Sequence, residues 1–247
     1  MGKPFLKPFL VLMYAFLMLF VFTTLGYVLL IVMDRRKAMN RVGQIYFRHM
    51  SRIWGVRHEI HGWENLPADI REGRQPVIYI ANHTSYLDAM MLAVYLPNHP
   101  VFLAKIEMLL IPVLGPACWV GGCIFINRRN RPKAIESMKA AARKVHAGAT
   151  IAAFPEGTRT RDGALLPFKK GVFNLAQDAD VPLVPLGLTG GFEMLPAGAW
   201  RVTPGTFRIQ VGEPIRPGDF ADLDVLRETA QASVYALVAK GRALMGS

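Results

Sequence analysis

Residues 77–88 of the chain read VIYIANHTSYLD, and this stretch indicates an α/β fold with a site at one edge of its sheet. An apolar, β-branched run ends at Ile80, and His83 follows it after two residues. Ser85 and Asp88 then form the Ser-x-x-acid pattern that starts a helix. The stretch predicts a strand-to-helix turn with His83 at the carboxyl end of the strand, where open α/β sheets bind their ligands.

Asp88 follows His83 at a distance that lets its carboxylate reach back to the imidazole ring. A general base needs a neutral nitrogen that faces the substrate and a carboxylate that fixes the ring's tautomer. On this stretch alone a second interpretation stays open, in which Asp88 only caps the helix and His83 is a turn residue.

The composition indicates an anionic partner. The chain has 247 residues, enough for one good-sized domain and an appendage, and 52% of them are hydrophobic. Its formal net charge is +11, which favours binding to nucleic acid or to phospholipid headgroups.

The apolar N-terminal segment favours phospholipid over nucleic acid as the anionic partner. Phe9–Met33 contains no charged residue, and about 20 apolar residues suffice for a helix to cross a bilayer. A secretory signal peptide has a shorter apolar core and a small-residue cleavage site. We therefore expect a permanent anchor, which either spans the membrane or enters one leaflet. Basic residues after Met33 outnumber Lys3 and Lys7 before it, which predicts a cytoplasmic main domain.

Residues 39–56 predict an amphipathic helix that lies on the membrane surface. Its apolar residues recur at helical spacing, and its arginines fall on another side. The apolar residues are Met39, Val42, Tyr46, Met50 and Ile53, and the arginines are Arg41, Arg48 and Arg52. The alternative is an ordinary surface helix packed on the domain.

Beyond Pro67, strands and helices alternate in a manner typical of a largely parallel sheet flanked by helices. The predicted strands are Val77–Ile80, Val101–Ala104, Cys123–Ile126, Thr150–Phe154, Leu183–Leu188 and Phe207–Val211. The predicted helices are Tyr86–Tyr95, Pro132–His146, Gly171–Gln177 and Leu223–Leu244. We expect residues 1–62 to form the anchor and interfacial helix, and residues 63–247 to form one α/β domain. Cys118 and Cys123 are too few for a disulfide framework.

Polar residues follow three of the predicted strands, at the edge that carries His83. Lys105 follows the second strand, residues 127–129 follow the third, and residues 155–159 follow the fourth. Arginine suits phosphate because its planar fork makes two charge-assisted hydrogen bonds. Each of these stretches also fits an ordinary turn or a solvated charge run.

Other chemistries find little support. The sequence has no Gly-x-Ser-x-Gly elbow, no Walker loop, no Gly-x-Gly-x-x-Gly and no nucleic-acid-binding motif. His58 and His61 have a spacing that two metal ligands on one helix face could use, but Gly62 follows at once and no further ligand is evident. We expect neither a metal nor a nucleic-acid partner.

Four ordered blocks resemble those of the glycerolipid acyltransferases, and most closely those of the bacterial 1-acyl-sn-glycerol-3-phosphate (lysophosphatidic acid) acyltransferases. The blocks are Asn82-His83-x4-Asp88, Gly122–Arg128, Phe154–Thr160 and Val181–Pro185. Lys105 lies between the first two. The size of the chain and its apolar N-terminus also fit this family.

The resemblance implies transfer of a fatty acyl group from acyl-CoA or acyl-[acyl-carrier-protein] to lysophosphatidic acid, without a further cofactor. It implies that His83 is the general base and that Asp88 orients it. It implies glycerol-phosphate contacts from Lys105, Arg128, Glu156, Gly157, Thr158 and Arg159. Backbone N–H groups near Gly157 are the expected donors to the tetrahedral oxyanion.

The expected location is the bacterial inner membrane, with the catalytic domain on the cytoplasmic side and membrane phospholipids as surroundings. Two alternatives stay open. One is the same chemistry on another lysolipid acceptor, and the other is a non-catalytic phospholipid-binding protein.

Overall fold

A computed structural model describes residues 6–29, 31, 34–97 and 99–245. The strands are β1 (Val56–His61), β2 (Ile78–Ala81), β3 (Val101–Lys105), β4 (Ile124–Ile126), β5 (Ile151–Ala153), β6 (Leu183–Thr189) and β7 (Gly205–Val211). The helices are α1 (Leu6–Leu29), α2 (Arg35–Ile53), α3 (Ala68–Arg71), α4 (Tyr86–Tyr95), α5 (Leu114–Val120), α6 (Arg131–His146), α7 (Gly171–Ala179), α8 (Gly191–Met194) and α9 (Leu223–Ala243).

The seven strands form one sheet in the order β1-β7-β6-β2-β5-β3-β4. Only the β6–β7 pair is antiparallel, so the predicted largely parallel sheet is confirmed. β2 lies between β5 and β6, which places the turn after it at the centre of the sheet's carboxyl edge.

Side-chain alternation along β2 builds a core on each face of the sheet. Ile78 and Ile80 pack with buried residues of α6, α7 and α9. Tyr79 points to the other face and packs with buried residues of α4. Because both faces of β2 are covered, its continuous apolar run is what a buried parallel strand requires.

The sequence-based prediction missed β1. Val56–His61 pairs in parallel register with β7 at the edge of the sheet, and it mixes polar and apolar residues, as a half-exposed edge strand allows. His58 and His61 therefore lie on a strand, where residues three apart point to opposite faces, and not on one face of a helix. The division into an N-terminal anchor region (residues 1–62) and an α/β domain (residues 63–247) stays a prediction. β1 lies before that boundary but belongs to the sheet.

α1 is a long apolar helix, as predicted. Phe9–Leu29 has the length and composition of a membrane-spanning segment, and its side chains are largely exposed. Leu30, Val32 and Met33, which the predicted anchor included, lie outside the described residues, as does Lys3.

α2 is amphipathic, but its apolar residues mostly face the protein. Met39, Val42, Tyr46 and Met50 are buried, and of the five predicted membrane-facing residues only Ile53 is exposed. Tyr46 donates a hydrogen bond to the carbonyl of Ala15 at 3.2 Å, which ties α2 to α1. α2 also packs against α4. The apolar stripe of α2 is thus a packing surface between the anchor and the α/β domain.

Candidate active site

The turn between β2 and α4 brings His83 and Asp88 together. His83 Nδ1 lies 3.0 Å from Asp88 Oδ2, and Asp88 is fully buried. The same oxygen accepts hydrogen bonds from the backbone N–H groups of Thr84 at 2.7 Å and Ser85 at 2.8 Å. Ser85 caps α4 with its hydroxyl, so the predicted capping box is present. Asp88 therefore both caps the helix and holds the imidazole ring.

His83 is fixed on its other sides as well. Its ring stacks on Phe154, with 4.0 Å between ring centroids and 13° between planes. Asn82 exchanges two hydrogen bonds with the backbone of Leu188, at 2.7 and 2.9 Å, which extends the β2–β6 pairing to the residue before His83. With Nδ1 turned to Asp88, Nε2 is the nitrogen left for a substrate.

Glu156 lies beneath the turn, and only 2% of it is exposed. Its Oε1 accepts the backbone N–H of His83 at 2.9 Å, and its Oε2 accepts that of Leu166 at 3.3 Å. Burial raises the pKa of this carboxyl to about 7, although the two N–H groups act to lower it. The carboxylate is therefore directed at the backbone of the site, away from the groove described next.

A groove of about 250 Å³ opens at the same edge of the sheet. It is lined by Lys105, Glu107, Arg128, Arg129, Gly157, Thr158 and Lys169. Four of these side chains are cationic and one is anionic, so the groove suits an anionic group such as phosphate. The carboxyl ends of β3, β4 and β5 contribute Lys105, Arg128 and Gly157, as the spacing after the strands predicts.

Gly157 is the point where two of these cations meet. Its φ of +75° is unfavourable for residues with a side chain. A Cβ placed there would lie 3.1 Å from both Arg128 Nη1 and Lys169 Nζ, and Arg128 donates to the carbonyl of Gly157. Lys169 was missed by the sequence-based prediction. Its only signal was the basic pair at residues 169 and 170 after the glycine-containing loop.

Two backbone N–H groups of this loop are already used. Gly157 N–H donates to the carbonyl of Phe154 at 3.0 Å, and Thr160 N–H donates to that of His83 at 3.1 Å. The expectation that N–H groups near Gly157 face an oxyanion is therefore wrong for Gly157 itself. The second bond joins this loop to the turn between β2 and α4.

Arg159 does not line the groove. Its guanidinium lies 3.5 Å above the ring of Tyr86, the first residue of α4. Its Nη1 is buried and has no hydrogen-bond partner within the described part of the chain. A cation held by an aromatic face, with one donor unused, is suited to bind an anion that enters beside His83. Sequence reasoning did not identify Tyr86, because nothing in the motif shows that Arg159 stacks on it.

The chain is similar to known proteins over most of its length. The family model described as Acyltransferase matches residues 57–189, more than half of the chain. The 1-acyl-sn-glycerol-3-phosphate acyltransferase alpha of Ovis aries is 33% identical over 185 residues, covering 74% of this chain and 63% of that protein. The 1-acyl-sn-glycerol-3-phosphate acyltransferase of Limnanthes douglasii is 36% identical over 182 residues, covering 73% and 62%. The chain thus matches somewhat less than two thirds of each of these relatives.

A solved structure shares the whole architecture. The crystal structure of the 1-acyl-sn-glycerophosphate (LPA) acyltransferase, PlsC, from Thermotoga maritima superposes with a TM-score of 0.81 and 27% sequence identity. The match covers 96% of this chain and 97% of that one, so it includes the N-terminal helices as well as the sheet. With its family match over β1 to β6 and this shared fold, the chain belongs to the acyltransferase family.

Proposed function

We propose that this protein transfers a fatty acyl group from an acyl thioester to the sn-2 hydroxyl of 1-acyl-sn-glycerol-3-phosphate, giving phosphatidic acid. The observation that carries this proposal is the His83–Asp88 pair, 3.0 Å apart, at the same sheet edge as a cationic groove. The names of the relatives and of the solved neighbour support the choice of acceptor.

His83 acts as the general base in this proposal. Nε2 takes the proton of the acceptor hydroxyl while the hydroxyl oxygen attacks the thioester carbonyl, and Asp88 stabilises the imidazolium that forms. The tetrahedral intermediate collapses, the carbon–sulfur bond breaks, and the thiolate takes the proton back from His83. The products are an ester and a free thiol, and the enzyme returns to its starting state.

The cationic residues bind the acceptor's phosphate. Lys105, Arg128 and Lys169 line the groove together with Gly157 and Thr158. Arg159 supplies a further donor on the side of α4. The acyl donor is acyl-CoA or acyl-[acyl-carrier-protein], and the phosphates of its carrier would meet the same positive edge.

Glu156 is a positioning residue in this account. Both of its oxygens accept backbone N–H groups, so it fixes the main chain at His83 and does not touch the phosphate. This differs from the role that the family resemblance implies for it.

The exposed apolar face of α1 indicates association with a membrane, where the lysolipid acceptor and the product both reside. We propose the inner membrane of a bacterium, with the active edge on the cytoplasmic side. The excess of basic residues after the anchor supports this orientation.

The first prediction tests the reaction itself. Purified protein in detergent or bilayers, given acyl-CoA and acyl-[acyl-carrier-protein], should acylate 1-acyl-sn-glycerol-3-phosphate in preference to lysophosphatidylethanolamine and monoacylglycerol. His83→Ala should lower kcat by at least the roughly 100-fold typical of a lost general base, with little change in KM.

Preference of the unmodified protein for another lysolipid would favour the alternative acceptor. Binding without turnover in the unmodified protein would favour a phospholipid-binding protein.

The second prediction concerns Arg159. Arg159→Ala should raise the acceptor's KM about 10- to 100-fold, because a charge-assisted hydrogen bond to phosphate is worth about 1.5–3 kcal/mol. Arg159→Lys should recover only part, since an ammonium lacks the planar fork. Arg161→Ala, two residues further on and exposed, is the matched control. An equal loss with a phosphate-free acceptor would show that Arg159 serves the fold or the oxyanion instead.

The third prediction concerns Glu156 and pH. Because its pKa is raised to about 7 from an ordinary 4.5, the folded state binds this proton more tightly than the unfolded state. Its contribution to stability is therefore fully present below pH 4.5 and is lost as the pH rises through 7. The loss is at most about 3 kcal/mol.

Thermal unfolding in detergent between pH 5 and pH 8 checks this prediction. Glu156→Gln should lower Tm at every pH, because its amide group can accept only one of the two backbone N–H groups, and it should flatten the slope of Tm against pH. Exposed Glu136→Gln should keep the slope of the unmodified protein. An unchanged slope in Glu156→Gln would contradict the raised pKa.

A further inference from the structure

A second apolar surface lies directly after Lys105, outside the site and outside α1. We define the 106–119 segment as the 3-10 turn Ile106–Leu110, the loop that follows it, and α5 as far as Trp119. Leu110 is 82% exposed and Trp119 is 63% exposed, and Ile106, Leu109 and Ile111 are each more than a third exposed. Single exposed apolar residues are ordinary, but five within one short segment are typical of an interaction surface.

The segment is compactly folded. Gly115 N–H donates to the carbonyl of Ile111 at 2.9 Å, and a Cβ on Gly115 would collide with the carbonyl oxygen of Leu109. This close approach holds α5 against the 3-10 turn. Leu110 and Trp119 are thus presented by ordered structure and do not turn inward to the core.

The segment adjoins the anchor helices. α5 packs against α2, and a Cβ on Gly121, just beyond α5, would lie 3.7 Å from the Cβ of Met39. Gly26 of α1 also approaches Met39, since a Cβ added to Gly26 would lie 2.7 Å from the Met39 sulfur. α1 and the residues just beyond α5 therefore both approach Met39 of α2.

The charges that border the segment suit a phospholipid surface. Lys105 precedes it, and Arg128 and Arg129 follow on β4's carboxyl end. The Arg129 side chain is 87% exposed and lies 3.6 Å from Glu107. Apolar side chains beside exposed arginines, with a tryptophan among them, are typical of elements that enter the boundary between headgroups and acyl chains.

We propose that the 106–119 segment is a second membrane-inserting element, which buries Leu110 and Trp119 in an anionic phospholipid bilayer beside α1. Because it directly follows Lys105, it holds the cationic groove at the level of the headgroups. The consequence for the acceptor rests on the proposed function, since a lysophosphatidic acid could then reach the groove without leaving the membrane. The insertion itself does not depend on catalysis.

Quenching of tryptophan fluorescence by brominated lipids tests the insertion. The full chain is reconstituted at high lipid-to-protein ratio in vesicles of phosphatidylcholine and phosphatidylglycerol, with or without bromine on the upper acyl chain. Trp200 is also exposed but lies outside the segment, so Trp200→Phe is the matched control. The unmodified protein and Trp200→Phe should both be quenched strongly. Trp119→Phe should lose a distinct part of this quenching, and equal quenching in Trp119→Phe and the unmodified protein would overturn the proposal.

A charge variant provides the second arm. Leu110→Asp places a carboxylate at the most exposed position and should reduce the quenching of Trp119 at least twofold, while circular dichroism stays unchanged. Val225→Asp, an exposed apolar position on α9, is the matched control and should have no effect. If Trp119 becomes less accessible to the brominated lipids as the protein-to-lipid ratio rises, a second copy of the chain covers the segment. That result would contradict insertion. No substrate is used, so failure of the proposed reaction would leave this result unaffected.

Discussion

One buried carboxylate organises the site, and the rest of the active edge depends on it. Asp88 Oδ2 receives two backbone N–H groups at the start of α4 and faces Nδ1 of His83, all within 3.0 Å. A buried charge is costly unless it is hydrogen-bonded. Oδ2 has three nitrogen partners, whereas Oδ1 has no hydrogen-bond partner among the described residues, and the helix N-terminus adds a favourable dipole. Gly191 lies directly against this side chain, since a Cβ there would lie 2.7 Å from Asp88 Oδ1. The capping and catalytic interpretations of the sequence are thus one arrangement, in which the cap is what fixes the ring.

Electrostatics divides the surrounding residues into two groups. The buried group, Asp88 and Glu156, uses its oxygens to hold the backbone on either side of His83. The exposed group, Lys105, Arg128 and Lys169, gathers positive charge in a groove that opens to solvent. The carboxylates that organise the turn are thus separate from the cations of the groove, where Glu107 is the one acidic residue of the described lining.

Local signals explain what the sequence could predict. The strand–turn–helix at residues 77–95 was predictable because an apolar run, a Ser-x-x-acid cap and an apolar helix follow one another without a gap. Lys105, Arg128 and Gly157 were predictable as neighbours because the carboxyl ends of parallel strands meet at one edge. β1 was not predictable in this way, since a half-exposed edge strand of mixed polarity carries no strong period. The burial of the apolar stripe of α2 and the inward direction of Glu156 depend on tertiary partners that no local pattern encodes.

The central claim is that Asp88 acts on the reaction through His83, and a double-mutant cycle tests it most directly. The kcat values of the unmodified protein, His83→Ala, Asp88→Asn and the double variant are measured with 1-acyl-sn-glycerol-3-phosphate, after circular dichroism has shown that each is folded. If the two side chains form one unit, the double variant should be about as slow as His83→Ala alone, because Asp88 has no ring left to orient. Losses that multiply in the double variant would contradict the account, since they would show that Asp88 contributes independently of His83.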